Sequence, residues 1–331
     1  MANIRLTVYS ACHFLVDLSC ALVLLGRAIR DGDALVLLLF YNFLAFAVQM
    51  PLGLLADRAG RPHLFAAGGC LLAALAWLLP GMAAAVSAGL GNALFHVGGG
   101  LDTLHREGGK FGALGIFVSP GALGITLGTL WAADAAALAL PVALALVVLG
   151  AAILSFCAVR LPTGAPLSTA AAPKLTGVLA LLFLVVLLRS YAGGVLAFPW
   201  KGEFLLPLTL CVAGGKALGG LLADRFGLKR VTAASLLLGG GLFLLSDHPA
   251  AGLAAMLLFN MTMPLTLGLA ARLLPGGRGF AFGLCTFALF LGFLPPFLEW
   301  VLPLSTPLAG CLCSLLSLPL LLLGEKGAAA C

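Results

Sequence analysis

The chain has 331 residues, of which 62% are hydrophobic and only 9% charged, whereas an ordinary soluble domain carries about 25% charged residues. Too few charges remain to cover a water-soluble globule, and the apolar stretches are continuous rather than alternating, which excludes a transmembrane β-barrel. The net charge of +6 stands as single cations at the ends of apolar runs, so no nucleic-acid partner is expected.

Apolar runs of the length a spanning helix needs, about 20 residues, follow one another with short polar breaks. They predict twelve transmembrane helices, the first six over 6–26, 34–55, 64–80, 82–101, 111–131 and 136–158. The second six fall over 177–197, 203–222, 231–246, 250–271, 280–298 and 304–323. The expected fold class is an all-α polytopic membrane protein in a lipid bilayer. The polar connection 159–176, rich in Pro, Thr, Ser and Ala, divides two six-helix bundles, 1–158 and 177–331.

Taken in chain order, helix 1 carries His13 and Asp17 four residues apart, hence on one face, with Asp17 close to its midpoint. Helix 2 ends in Gly53-Leu54-Leu55-Ala56-Asp57-Arg58-Ala59-Gly60, followed by Arg61. Helix 4 repeats the four-residue spacing with Asn92 and His96. Asp102, His105, Arg106 and Glu107 follow it and read as a solvated charge network. Helix 5 contains Gly115-x-x-x-Ser119-Pro120-x-x-Leu123-Gly124, a proline bend between small residues. Helix 7 has Arg189 near its middle. Helix 8 ends in Gly220-Leu221-Leu222-Ala223-Asp224-Arg225-Phe226-Gly227, identical to the first copy at seven of eight positions at an offset of 167. A second block repeats at an offset of 168, matching Asn92, Gly100, Leu101, Gly108, Gly109, Gly115 and Gly124 with Asn260, Gly268, Leu269, Gly276, Gly277, Gly283 and Gly292. The chain is therefore a duplicated six-helix unit, the pattern of a secondary transporter built from parallel repeats.

With a cytoplasmic N-terminus, thirteen Lys/Arg fall inside and three outside (Arg27, Arg30 and Lys201), as the positive-inside rule requires. Both termini are then cytoplasmic and the membrane is the plasma (inner) membrane. Trp77, Trp131, Trp200 and Trp300 fall near the expected membrane boundaries. Nine cysteines are scattered without metal-type spacing. No metal, cofactor, phosphate loop or nucleophile–base pair is expected, so the chain does not read as an enzyme.

The loop Gly-x-x-x-Asp-Arg-x-Gly-Arg, present in both halves, resembles the signature loop of the major facilitator superfamily, and the resemblance covers the whole chain. Pro62 and Leu228 depart from its basic positions. On this resemblance Gly53, Asp57, Arg58, Gly60 and Arg61, with Gly220, Asp224, Arg225 and Gly227, form a conformational switch. Its aspartates would pair with arginines or with the positive N-terminal ends of neighbouring helices; the plainer reading is a topology anchor with tight-turn glycines. The helix 5 pattern (Gly115, Pro120, Gly124) resembles the antiporter motif, with Ser119 and Leu123 departing from it. His13-Phe14-x-x-Asp17 and Phe95-His96 resemble the fosmidomycin-resistance branch, whose second carboxylate is missing because Val97 and Gly98 stand in its place.

The resemblance implies that helices 1, 4, 7 and 10 line a central cavity, so that His13, Asp17, Asn92, His96 and Arg189 converge as a substrate and proton site. Asp17 is the expected proton carrier, with a contact to Arg189 that forms in one state and breaks in the other; a static pair is the alternative. The expected function is a proton-coupled, monomeric secondary transporter exporting a small amphipathic drug or metabolite by antiport. Proton symport of a small organic nutrient and a non-transporting sensor are the alternatives.

Overall fold

The structure, a computed structural model, describes residues 2–106, 110–163 and 172–328. The connection 159–176 and Glu107 therefore fall partly or wholly outside the described residues. Among the described residues the chain is helical throughout, without a strand. Among the described residues nine helical stretches, some of which join two consecutive helices, are long and apolar enough to cross a membrane.

Two compact units divide the chain. The first, Met1–Gly108 with Pro120–Ala165 and Gly276–Gly283, contains α1 (Ala2–Gly26), α2 (Ala34–Asn42), α3 (Gln49–Ala59), α4 (Pro62–Leu75), α5 (Gly81–Arg106), α7 (Pro120–Leu130) and α8 (Ala135–Phe156). A π-helical turn, Phe43–Ala47, joins α2 to α3. Glycines bring α4 and α5 together: a Cβ on Gly69 would meet the Phe95 backbone, and one on Gly91 would meet the Ala73 backbone nitrogen. Small residues make such close approaches where lipid supplies no hydrophobic drive for helix association. α8 shows the opposite face of the same physics. Its buried residues Val142, Leu146, Gly150 and Ile153 form one stripe, while Leu140 is 69% and Val148 65% exposed. Such a helix is content in hydrocarbon and not in water.

The second unit, Gly109–Ser119 with Pro166–Pro275 and Leu284–Cys331, contains α6 (Phe111–Val118), α9 (Ala172–Val195), α10 (Leu205–Phe226), α11 (Leu228–Phe243), α12 (Pro249–Asn260), α13 (Thr262–Leu273) and α15 (Thr306–Ala328). α14 (Arg278–Phe297) begins in the first unit and continues in the second. The core of the second unit gathers Leu236, Phe243, Phe259 and Ala309 around Trp200. Trp200 donates its indole N–H to the Ser246 carbonyl at 2.8 Å. Trp77 likewise donates to Ser19 Oγ at 2.9 Å. These two tryptophans are therefore buried packing residues, unlike the exposed Trp131 and Trp300; nearness to a helix end does not tell which way the indole points.

Candidate functional site

The repeated loop motif folds twice into the same device. Gly60 (φ 61°) and Gly227 (φ 88°) terminate α3 and α10 with positive φ, a conformation that glycine adopts without a Cβ penalty. One turn earlier, Asp57 accepts hydrogen bonds from the backbone N–H groups of Gly279 (2.8 Å) and Phe280 (2.9 Å), in the first turn of α14. Asp224 accepts from Phe111 (2.9 Å) and Gly112 (2.8 Å), in the first turn of α6. Each carboxylate thus occupies an anion site at a helix N-terminus, where unpaired N–H groups and the helix dipole both favour negative charge. Gly53 and Gly220 allow the approach: a Cβ on either would collide with the carbonyl oxygen of Gly279 or Phe111, respectively. The partners of the two aspartates are helix ends rather than the motif arginines. Arg58 and Arg61 are exposed, and Arg225 lies 5.5 Å over the Phe226 ring.

Cations from outside the motif flank these clasps. Arg278 donates to the Leu104 carbonyl at 3.0 Å and acts electrostatically on Asp57. Arg272 stacks 4.0 Å from the Phe111 ring centroid and acts on Asp224. Sequence reasoning offered arginines or helix N-termini as partners of the aspartates without naming which arginines or which helices. A signal was available, since the repeated Gly108-Gly109 and Gly276-Gly277 lie immediately before the two capped helix starts.

A second constellation lies in the first unit, near the middles of α1 and α5. Asp17 Oδ1 accepts from Asn92 Nδ2 at 2.8 Å. Asp17 Oδ2 is 3.3 Å from His13 Nε2, and Oδ1 is 3.8 Å from His96 Nε2. The two imidazoles meet Nε2 to Nε2 at 2.9 Å. His96 Nδ1 is 2.8 Å from the Asn92 carbonyl oxygen, which makes Nδ1 the protonated nitrogen and leaves the Nε2 lone pair facing His13. Four of the expected residues, His13, Asp17, Asn92 and His96, are therefore together and nearly sequestered from solvent. Asp17 takes these partners from its own unit. Arg189, in the second unit, donates to Thr262 Oγ1 at 3.4 Å and sits close to Cys285.

Three further placements bear on the site. The helix 5 pattern breaks where Pro120 lacks an N–H: α6 ends at Val118 and α7 starts at Pro120. A Cβ on Gly115 would strike the Lys216 carbonyl and one on Gly124 the Phe14 carbonyl, so α6 packs on α10 and α7 on α1. Asp102 is fully buried beside Tyr9 on an α5 that runs on to Arg106, which corrects its reading as part of a solvated network. Finally, His13, Asp17 and His96 bring ligand-type atoms within 4.8 Å of one another, a grouping that a scan of spacing along the chain passes over because the residues come from two helices.

Among solved structures, the chain is similar to a variant of the E. coli fucose:proton symporter FucP, with a TM-score of 0.72, 14% identity and 98% of both chains covered. It is also similar to a structure of FucP, a major facilitator superfamily transporter, in the outward conformation (TM-score 0.71, 13% identity, 98% of both chains). The chain has the major facilitator fold. The human organic anion transporter MFSD10 shares it as well, at a TM-score of 0.67 and 17% identity over 98% of this chain and 100% of that one. No protein-family model and no curated protein matches the sequence. The major facilitator fold and the nine apolar helical stretches make this chain an integral membrane protein.

Proposed function

We propose that the protein is a proton-coupled secondary active transporter of the major facilitator superfamily, working by alternating access. In this reading it exports a small amphipathic drug or metabolite by antiport, as resemblance to the fosmidomycin-resistance branch implies. Its twelve spans form two six-helix bundles in the plasma (inner) membrane, with both termini cytoplasmic, and it works as a monomer.

The observation that carries the reading is the pair of clasps. Asp57 and Asp224, 167 residues apart, each tie one sequence repeat to the start of a helix in the other. The hydrogen bonds of each link, a carboxylate to two N–H groups beside glycine contacts, can part and re-form. A non-transporting sensor has no use for two of them. The polar cluster around Asp17 supplies the binding site, since ionisable groups in the middle of spanning helices mark substrate and ion pathways. Coupling to protons is supported by likeness to a fucose:proton symporter. That likeness also favours a second reading, symport of a small organic nutrient.

Reconstituted protein with a pH-sensitive dye, challenged with amphipathic drugs, sugars, amino acids and organic anions, tests both readings. A compound moving against protons supports antiport, and one moving with them supports symport. Asp17→Asn should abolish that flux while the protein remains folded. Full flux in Asp17→Asn, or proton movement indifferent to every compound, sinks the reading.

A further inference from the structure

The buried cluster of the first unit has the donors and the dimensions of a metal site. His13 Nε2, His96 Nε2 and the Asp17 carboxylate oxygens lie within 4.8 Å of one another. The imidazoles stand 2.9 Å apart, His13 Nε2 is 3.3 Å from Asp17 Oδ2, and His96 Nε2 is 3.8 Å from Asp17 Oδ1. Tetrahedral ligands about 2.0–2.1 Å from a zinc ion stand about 3.3–3.4 Å apart. Each of the three separations lies within about half an ångström of that ligand–ligand spacing.

We propose that this group binds a divalent transition-metal ion of the Zn²⁺/Co²⁺ class, through His13 Nε2, His96 Nε2 and the Asp17 carboxylate, with a further position for water or a cargo ligand. The inference rests on reading the cluster as the transporter's binding site and goes further by naming its ligand. Two imidazoles and one carboxylate suit zinc, cobalt or nickel, whereas magnesium and calcium require oxygen throughout.

The surroundings of the ligands fit the same ion. Asn92 orients two of them at once: its carbonyl fixes the His96 tautomer with Nε2 turned inward, and its side-chain amide holds Asp17 Oδ1. Such outer partners are how metal sites fix their first ligands. The Nε2–Nε2 contact needs one bridging hydrogen, which His13 supplies because His96 carries its own on Nδ1. Metal entry replaces that hydrogen, which passes to His13 Nδ1. On the other side, Gly121 of α7 leaves the donor face unfilled. A Cβ there would collide with both His13 Nε2 and Asp17 Oδ2.

Full-length protein in detergent, stripped of metal and titrated with Co²⁺ alone, should show the intense visible bands of tetrahedral cobalt at one equivalent, bleached by Zn²⁺. Asn92→Ala should lower Co²⁺ affinity about 10–100-fold, and His96→Gln and Asp17→Asn should lower it further. Gly121→Ala, which keeps every ligand, should also remove the bands. Each variant is checked for wild-type elution and thermal unfolding without metal, and His96→Gln carries the test if Gly121→Ala does not fold. Absent bands in folded wild-type protein, bands that persist in the Asp17→Asn/His96→Gln double variant, or a spectrum dominated by thiolate charge transfer each overturn the assignment. Proton-linked flux of an organic compound without cobalt bands removes the metal and leaves the transporter. Cobalt bands without any flux do the reverse.

Discussion

Asp57 and Asp224 make the same pair of hydrogen bonds in different surroundings, and the difference sets their weight. Asp57 is only 8% exposed, whereas Asp224 lies open to solvent. A charge-assisted hydrogen bond contributes about 1.5–3 kcal/mol where water is kept out, and an exposed one is screened toward much less. Asp57→Asn should therefore destabilise the protein by about 2 kcal/mol, seen in thermal unfolding in detergent, and Asp224→Asn by clearly less. Asp57→Asn should also raise the labelling of cysteines introduced near Gly279; equal effects of the two variants, or unchanged labelling, would reduce the loop to a topology anchor. The residue types of these clasps were legible because the motif names aspartate and glycine. Helix N-termini were expected as partners, but which helix starts was not legible, since an N-terminus offers backbone N–H groups that any sequence possesses. The cluster at His13, Asp17, Asn92 and His96 was half legible for a related reason. Four-residue spacing places two groups on one face of a helix, but the 2.9 Å between His13 and His96 depends on how α1 meets α5.

Helices were read from apolar length, and the reading succeeds where length alone decides: the span expected over 34–55 begins at Ala34, and the one over 136–158 is Ala135–Phe156. It does not see a change of hydrogen-bond register inside an apolar run. The π-helical turn Phe43–Ala47 lies just ahead of Pro51, and the break at Met261 just ahead of Pro264. In each case a residue without an N–H cannot continue the ladder. Proline alone is no sure sign, because α8 runs through Pro141 without interruption. At Pro120 the break lets α6 pack on α10 while α7 packs on α1. Pro120→Ala restores the missing donor and should make α6 and α7 one stiffer helix. About 1 kcal/mol of added stability corresponds to a rise in Tm of about 2–4 °C. Flux in proteoliposomes should nevertheless fall, because the two segments lose independent orientation. Flux at the wild-type rate would make the bend incidental.

At the scale of the whole molecule, the duplication extends from sequence into contacts. Gly53 faces Gly279 and Gly220 faces Phe111, while Gly283 faces Gln49 and Gly115 faces Lys216; each pair maps onto its counterpart at the offset of 167 or 168 found in the sequence. On the transporter reading proposed above, two clasps repeated at the level of which backbone touches which would serve one cycle. This separates stability from function. Asp57 with α14 and Asp224 with α6 fall in different units and share no residue, so their contributions to unfolding free energy should add within about 0.5 kcal/mol in the Asp57→Asn/Asp224→Asn double variant. Transport should not add. If both clasps open in the same step, the first substitution already removes the control they exert together, and the double variant should transport no more slowly than the worse single one. The comparison needs unfolding curves and initial flux rates for the wild type, both singles and the double. A double variant whose rate falls by the product of the two single losses would mean two independent gates and would separate the clasps into unrelated devices.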